Sequence, residues 1–171
     1  AGGLIAVTYP WLKRVVHVPQ FYMGVAFGWS IPMAFAAQTG AVPQVGWLLF
    51  VAVVLWAALY DTMYAMVDRD DDLKIGIKTS AITFGRYDVT AVMLSYAATL
   101  AILAWVGVQA GRGIYFHVGL AAAAGMMAWH YTLIRGRQRD KCFKVFMNNN
   151  WVGAVIFAGL ATDYYFSPMP G

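Results

Sequence analysis

The sequence has 171 residues, of which 61% are hydrophobic and 12% are charged. So much apolar surface cannot be buried in one water-soluble core, which excludes an ordinary soluble domain. The net charge of +4 does not indicate nucleic-acid binding, because the basic residues are spread over separate loops rather than gathered in one patch.

Five long apolar segments follow a short apolar start at residues 1–8, which we expect to be the end of a preceding helix. Each segment is close to the roughly 20 residues that a helix needs to cross about 30 Å of hydrocarbon. None alternates strictly between polar and apolar residues, which favours helices over barrel strands. The sequence predicts an all-α integral membrane protein, one transmembrane helix bundle with five full spans. The predicted spans are residues 20–37, 46–67, 89–109, 114–134 and 147–166.

The basic residues outside the spans fall in alternate loops. Those loops are predicted to be cytoplasmic, because Lys and Arg concentrate on the cytoplasmic side of membrane proteins. The opposite loops contain only Arg112, and no Lys or Arg follows Asp163, so the tail is predicted to lie across the membrane. The cytoplasmic basic residues are Lys13, Arg14, Arg69, Lys74, Lys78, Arg86, Arg135, Arg137, Arg139, Lys141 and Lys144.

An acidic cluster at the end of the second span is the most informative feature of the sequence. The chain has eight acidic residues, all Asp, and five of them lie between positions 61 and 72. If the second helix continues through this segment, Asp61, Asp68 and Asp72 share one stripe at about 100° per residue, whereas Asp70 points to the opposite side and Asp71 to one flank. Asp61 is the most deeply placed, where an ionisable group is costly and is a functional candidate by default.

Carboxylates one helical turn apart suit hard divalent cations. Mg²⁺ takes one or two protein carboxylates and completes its coordination with waters and substrate phosphates. Lys74 and Lys78 follow directly and are placed to neutralise a phosphorylated ligand. The alternative is a solvated acidic helix end with lysine counter-charges, which would contribute little energy.

The acidic segment and three others resemble the UbiA prenyltransferase superfamily, in the order in which that family has them. Tyr60-Asp-x2-Tyr64-Ala-x2-Asp68-x3-Asp72 with Lys74-Ile-Gly-Ile-Lys78 is similar to the family's second Asp-rich motif. The other segments are Tyr9-Pro10-x2-Lys13-Arg14, residues 28–37 and residues 146–150, and the last two resemble the 4-hydroxybenzoate branch.

The resemblance implies a nine-helix fold and a Mg²⁺-dependent transfer of a polyprenyl group from polyprenyl diphosphate to 4-hydroxybenzoate in ubiquinone biosynthesis. It implies metal binding by Asp68 and Asp72 first and by Asp61 next, so these three are the predicted catalytic residues. It further implies an enzyme of the bacterial inner membrane, in contact with lipid and with its active site facing the cytoplasm. The implied substrate-binding residues are Tyr9, Lys13, Arg14, Tyr64, Lys74 and Lys78.

The family's first Asp-rich motif, Asn-Asp-x2-Asp-x3-Asp, does not occur in this sequence, which has no Asn-Asp pair. We therefore expect the chain to be the carboxyl-terminal part of the enzyme, with the missing amino-terminal helices as its partner. On its own, the chain is expected to be inactive.

Two other functions compete for the acidic cluster. A CDP-alcohol phosphotransferase would also use Asp residues and a divalent cation, but its motif Asp-x2-Asp-Gly-x2-Ala-Arg is not supplied here. A cation transporter could use Asp61 as its ion site, but the third span offers only Ser95, Tyr96 and Thr99 as a polar route.

Two smaller features are interpreted structurally. Gly24 and Gly28 are predicted to permit close helix packing. The three residues Asn148, Asn149 and Asn150 stand at the amino-terminal end of the fifth predicted span, and at least one of them is expected to cap that helix.

Overall fold

The structure is a computed structural model that describes residues 7, 16 and 18–167. The part of the chain that it describes is helical and contains no strand. The helices are α1 (Pro19–Gly28), α2 (Ser30–Thr39), α3 (Gln44–Ile75), α4 (Ser80–Phe84), α5 (Asp88–Gln109), α6 (Ile114–Ile134) and α7 (Arg139–Phe166), with a 3₁₀ turn at Gly85–Tyr87.

The predicted first span is divided at Trp29 into α1 and α2. Pro32 lies three residues beyond the break and has no backbone N–H, so the Gly28 carbonyl lacks its usual helical donor. The Trp29 N–H still donates to the Val25 carbonyl at 3.0 Å, which keeps the two helices nearly continuous. A proline therefore explains why this span is interrupted.

The second predicted span is part of a longer helix. α3 runs for 32 residues, so it continues through the whole acidic segment, as its periodicity predicts. It ends at Gly76, whose positive φ of 72° suits a residue without a β-carbon. A length of roughly 48 Å at 1.5 Å per residue exceeds the hydrocarbon thickness of about 30 Å.

The helix that contains the fifth predicted span is also longer than that span. α7 starts at Arg139 rather than at residue 147, so its first two turns carry basic residues. The expectation that an Asn caps this helix is wrong, because Asn148, Asn149 and Asn150 lie well inside α7. The Asn side chains instead form contacts between helices, described below.

Two stretches qualify as membrane spans by length and composition among the described residues, Gln44–Ile75 and Ser80–Gln109. The other three predicted spans and the single membrane domain remain predictions. α6 matches its predicted bounds of 114–134, and α5 begins one residue before its predicted start.

α3 is the central helix and packs against α1, α2, α5 and α7, while α6 packs mainly on α7. The predicted close packing is present at Gly24, where a β-carbon would lie 2.6 Å from the Val54 carbonyl oxygen of α3. α6 and α7 approach as closely, since a β-carbon on Gly159 would lie 2.9 Å from the Gly119 Cα. Small residues at such crossings let helices associate by van der Waals contact.

Buried carboxylates at both ends of the bundle are paired with arginines. At the end where α6 begins, Asp163 is fully buried; one oxygen accepts the Gly113 N–H at 2.9 Å and lies 3.8 Å from an Arg112 nitrogen. The other end carries most of the basic residues, and we call it the basic end. There the buried carboxylate of Asp88 is also paired with arginines. Pairing is expected, because an unpaired buried charge is strongly destabilising.

We predict that Gly159→Ala destabilises the bundle by about 1–3 kcal/mol, the usual cost of inserting a methyl group into a close-packed contact. The measurement is unfolding in mixed micelles, followed by circular dichroism. Gly125→Ala is the matched control, because it lies in α6 with nothing within 4 Å of the added carbon. Alanine's higher helix propensity should make the control neutral or stabilising. Equal loss of stability in the two variants would contradict the close crossing.

Candidate functional site

A cavity of about 650 Å³ opens between α1, α3 and α7. α3 supplies six of its lining residues at positions 53, 56, 57, 60, 61 and 64, which follow the helical spacing of one face. The opposite face of α3 is buried in the bundle, with Leu59, Met63 and Met66 in the core. The cavity is lined by Met23, Phe27, Val53, Trp56, Ala57, Tyr60, Asp61, Tyr64, Phe146 and Asn150.

Aromatic rings from α3 and α7 form one wall of the cavity. The Tyr60 and Phe146 ring centroids are 4.3 Å apart, and those of Tyr64 and Phe146 are 5.0 Å apart. Trp56 lies one turn before Tyr60 on the same face of α3. Asp61 is half-buried and places a carboxylate beside this wall. The structure thus brings together Asp61 and Tyr64, two of the residues predicted from the sequence.

The same side of α3 leads towards the basic end, where a guanidinium joins two carboxylates. Arg139, at the start of α7, lies 3.7 Å from an Asp68 oxygen and 3.2 Å from an Asp71 oxygen. Asp71 was predicted to stand apart on one flank, but Arg139 connects it with Asp68. We call Asp61, Asp68 and Asp72 the acidic stripe.

The lysines predicted to bind substrate, Lys74 and Lys78, follow the stripe in the chain. The Lys74 ammonium donates to Asp71 at 3.1 Å. Lys78 is half-buried in the loop 76–79 between α3 and α4. That loop is fixed two residues later, where the Ser80 N–H donates to the buried Gln20 side chain at 3.1 Å and the Ser80 and Thr62 hydroxyl oxygens are 2.7 Å apart.

The carboxylates of the acidic stripe are hard oxygen donors, which suits Mg²⁺. No three His, Cys, Asp or Glu side chains converge into a metal-binding group within the described residues. The donor set therefore fits a cation that takes one or two of these carboxylates and completes its coordination elsewhere. Asp72 is half-buried in the last turn of α3. The predicted residues Tyr9, Lys13 and Arg14 lie outside the described residues.

A second charged cluster holds the basic end together. Arg137 donates to both oxygens of the buried Asp88, with its Nε at 2.9 and 3.0 Å, and Arg69 lies 3.5 Å from the same carboxylate. The hydrogen bonds that Arg137 donates to Asp88 raise the pKa of Arg137 above its usual value. Asp88 also accepts the Val89 N–H at the start of α5. The cluster joins α3, α5 and the loop that leads to Arg139.

Comparison with known proteins identifies the family of this chain. A model of the UbiA prenyltransferase family matches residues 1–157. The chain belongs to this family. The similarity extends to individual relatives named 4-hydroxybenzoate octaprenyltransferase, one from Azoarcus sp. with 62% identity over 94% of this chain and one from Cupriavidus necator with 61% identity over 95% of it. The chain spans 56% and 57% of their respective lengths.

Two solved structures share the fold of this UbiA family member. A UbiA homolog from Aeropyrum pernix K1 is 27% identical with a TM-score of 0.70, and this chain covers 61% of it. A digeranylgeranylglyceryl phosphate synthase has a TM-score of 0.75 at 14% identity, which supports the fold alone. In both comparisons 95% of this chain is covered, so the similarity includes nearly all of the bundle. The prediction of an α-helical membrane bundle that forms part of a larger family fold is confirmed.

Several residues at the site were not predicted from the sequence to be site residues. Trp56 and Tyr60 repeat at a four-residue interval with Tyr64, a signal that could have placed them on the side of α3 near Asp61. Phe146, Asn150 and Arg139 gave no such signal, because they reach the site from a different helix.

We predict that Asp88→Asn lowers the free energy of unfolding by about 2 kcal/mol, because the amide cannot compensate two guanidinium groups in a buried position. The free energy of unfolding is measured by denaturation in mixed micelles. Asp70→Asn is the control: it removes the same charge from an exposed position at the same end, and exposed substitutions usually change stability by less than about 0.5 kcal/mol. A control as destabilised as Asp88→Asn would show that net charge, rather than this cluster, determines stability.

Proposed function

We propose that this chain forms the carboxyl-terminal part of an aromatic polyprenyltransferase. Its reaction would break the allylic C–O bond of a polyprenyl diphosphate and join the allylic carbon to the ring carbon ortho to the hydroxyl of 4-hydroxybenzoate. Diphosphate and the ring proton would leave. The names of the relatives and their 54–62% identity support this choice of substrates. The family match favours it over the phosphotransferase and transporter alternatives.

The observation that carries the proposal is the continuity of the aromatic cavity with the acidic stripe along α3. An isoprenoid diphosphate has an apolar tail and a strongly anionic head, so it needs an apolar chamber that ends at charged groups. The cavity supplies the chamber. Asp68 and Lys74 lie further along α3 towards the basic end, where Arg139 of α7 contacts Asp68.

Asp68 and Asp72, with Asp61 nearer the cavity, would hold Mg²⁺ bound to the diphosphate. When bound, the cation supplies charge that stabilises the leaving diphosphate. Lys74 and Lys78 would contribute further positive charge on the same side, and Tyr9, Lys13 and Arg14 complete the proposed substrate-binding set. Arginine would suit a carboxylate or phosphate with two parallel hydrogen bonds.

The residues of the cavity would protect the reacting carbon. Breaking the allylic bond creates positive charge on carbon, which water would capture, so an apolar lining protects the productive reaction. Trp56, Tyr60, Tyr64 and Phe146 present aromatic rings, and ring faces attract positive charge by roughly 0.5–2 kcal/mol. Asp61 adds a negative charge at the same wall. These groups would stabilise the charge while the acceptor ring approaches.

The experiment is a hybrid in which this chain replaces the matching region of the Azoarcus sp. relative, assayed with Mg²⁺, a polyprenyl diphosphate and 4-hydroxybenzoate. We predict transfer by the hybrid, and at least about a 100-fold loss in Asp68→Asn and Asp72→Asn, because each 1.4 kcal/mol of lost transition-state stabilisation lowers the rate tenfold. Asp70→Asn is the matched control. It should remain within a few-fold of the unsubstituted hybrid, because residue 70 points away from the acidic stripe.

We expect the chain alone to show no transfer. One Asp-rich motif would hold too little Mg²⁺ to compensate the negative charge of the leaving diphosphate. A hybrid that binds both substrates but transfers no prenyl group would contradict the proposed function. Equal losses in all three Asp variants would contradict the assignment to the acidic stripe.

The proposed location is the bacterial inner membrane, with the basic end in the cytoplasm. We predict that an impermeant maleimide added to intact spheroplasts labels a cysteine introduced at Ser167. A cysteine introduced at Gln138 should react only after the membrane is opened, because it lies on the cytoplasmic side. Cys142 is buried, and Cys142→Ser removes any background. Labelling of both positions from the same side would contradict the five-span arrangement.

A further inference from the structure

A polar network lies at the centre of the bundle, behind the cavity wall. The Tyr96 hydroxyl of α5 donates to the Asn149 side-chain oxygen of α7 at 2.8 Å and lies 3.0 Å from the His130 Nδ1 of α6. The His130 Nε2 in turn lies 2.9 Å from the Asn148 side-chain oxygen. The network therefore joins three helices through side chains alone.

The members of this network are buried more deeply than the cavity residues. Tyr96 and Asn149 are 1% exposed and His130 is 0% exposed. Polar side chains are costly in such surroundings unless they are hydrogen-bonded, and ionisable residues inside a membrane bundle are functional candidates by default. None of the three lines the cavity between α1, α3 and α7.

Two contacts connect the network to the cavity wall. The Tyr96 ring lies edge-on against Trp56, with centroids 6.5 Å apart and planes at 74°, and Trp56 lines the cavity. Asn149 shares one turn of α7 with Phe146 and Asn150, which also line it. A helix rotates by about 100° per residue, so the bond at Asn149 fixes which residues of α7 face the cavity.

We propose that Tyr96, His130 and Asn149 are positioning residues for the aromatic acceptor. They hold α7 in the rotation that places Phe146 against Tyr60 and Tyr64, and they support Trp56 from behind. The aromatic part of the cavity thereby keeps the width that a single benzoate-sized ring requires. The prenyl tail needs no such fixed width, because it is flexible and uniformly apolar. This inference rests on the proposed function.

The test measures the kinetics of the hybrid enzyme with 4-hydroxybenzoate and polyprenyl diphosphate varied separately. Tyr96→Phe removes one hydroxyl and keeps the ring against Trp56. We expect the KM for 4-hydroxybenzoate to rise about tenfold, because binding of the acceptor would then have to restore the rotation of α7 that the lost hydrogen bonds no longer fix. The KM for the prenyl diphosphate should stay within about twofold, since the acidic stripe is untouched.

Thr99→Val is the matched control. Thr99 lies one turn further along α5, is 1% exposed, and its hydroxyl has no hydrogen-bond partner within the described residues. Removing this hydroxyl should leave both KM values unchanged. Asn149→Leu should resemble Tyr96→Phe, and the double variant should change the acceptor KM by less than the product of the two single effects, because both substitutions remove the same bond.

Two results would overturn the inference. One is an acceptor KM in Tyr96→Phe that matches the Thr99→Val value. The other is a parallel rise in both KM values, which would indicate a general loosening of the bundle instead of positioning. Prenyl transfer by the unsubstituted hybrid tests the proposed function separately, so the two failures can be distinguished.

Discussion

The length of α3 relative to the thickness of a membrane is the constraint on which the rest of this architecture depends. A helix of 32 residues is longer than the hydrocarbon layer, so it can carry an apolar face through the bilayer and a charged face beyond it. One side of α3 is occupied by helix packing, which leaves the other side for the cavity and the acidic stripe. The same helix thus provides an apolar surface for the tail of an isoprenoid diphosphate and carboxylates that would hold the cation bound to its head.

Polar side chains inside the bundle are concentrated where they fix helices relative to this face. Asp88 and Asp163 are fully buried at opposite ends, and each is compensated by arginine. Between these two ends, the Tyr96 hydroxyl of α5 donates a hydrogen bond to the Asn149 side-chain oxygen of α7. Hydrogen bonds and close glycine contacts hold helices together where the hydrophobic effect between them is weak. The position of the cavity wall is therefore determined by residues that do not touch the cavity.

The helical class and the acidic stripe could be predicted because both depend on local spacing. The continuation of α3 through Asp72 follows from periodicity, and the bounds of α6 follow from hydropathy. Residues 139–146 were placed in a loop, and the three Asn residues at a helix end, because they are polar, whereas all of them lie in α7. The polarity of Asn149 reflects a partner on another helix, Tyr96, and the charge of Arg139 reflects Asp68 and Asp71. Pairing between distant positions carries no periodic signal, so one sequence does not reveal it.

The most direct measurement of the central claim is an experimental structure of the hybrid enzyme with Mg²⁺, an unreactive prenyl thiodiphosphate and 4-hydroxybenzoate. We predict that the prenyl chain lies in the cavity, with the thiodiphosphate at Asp68 and Asp72. The acceptor ring should lie next to Phe146. Ligands bound on the opposite side of α3, or a diphosphate group remote from Asp68, would contradict the proposed use of the cavity and the acidic stripe.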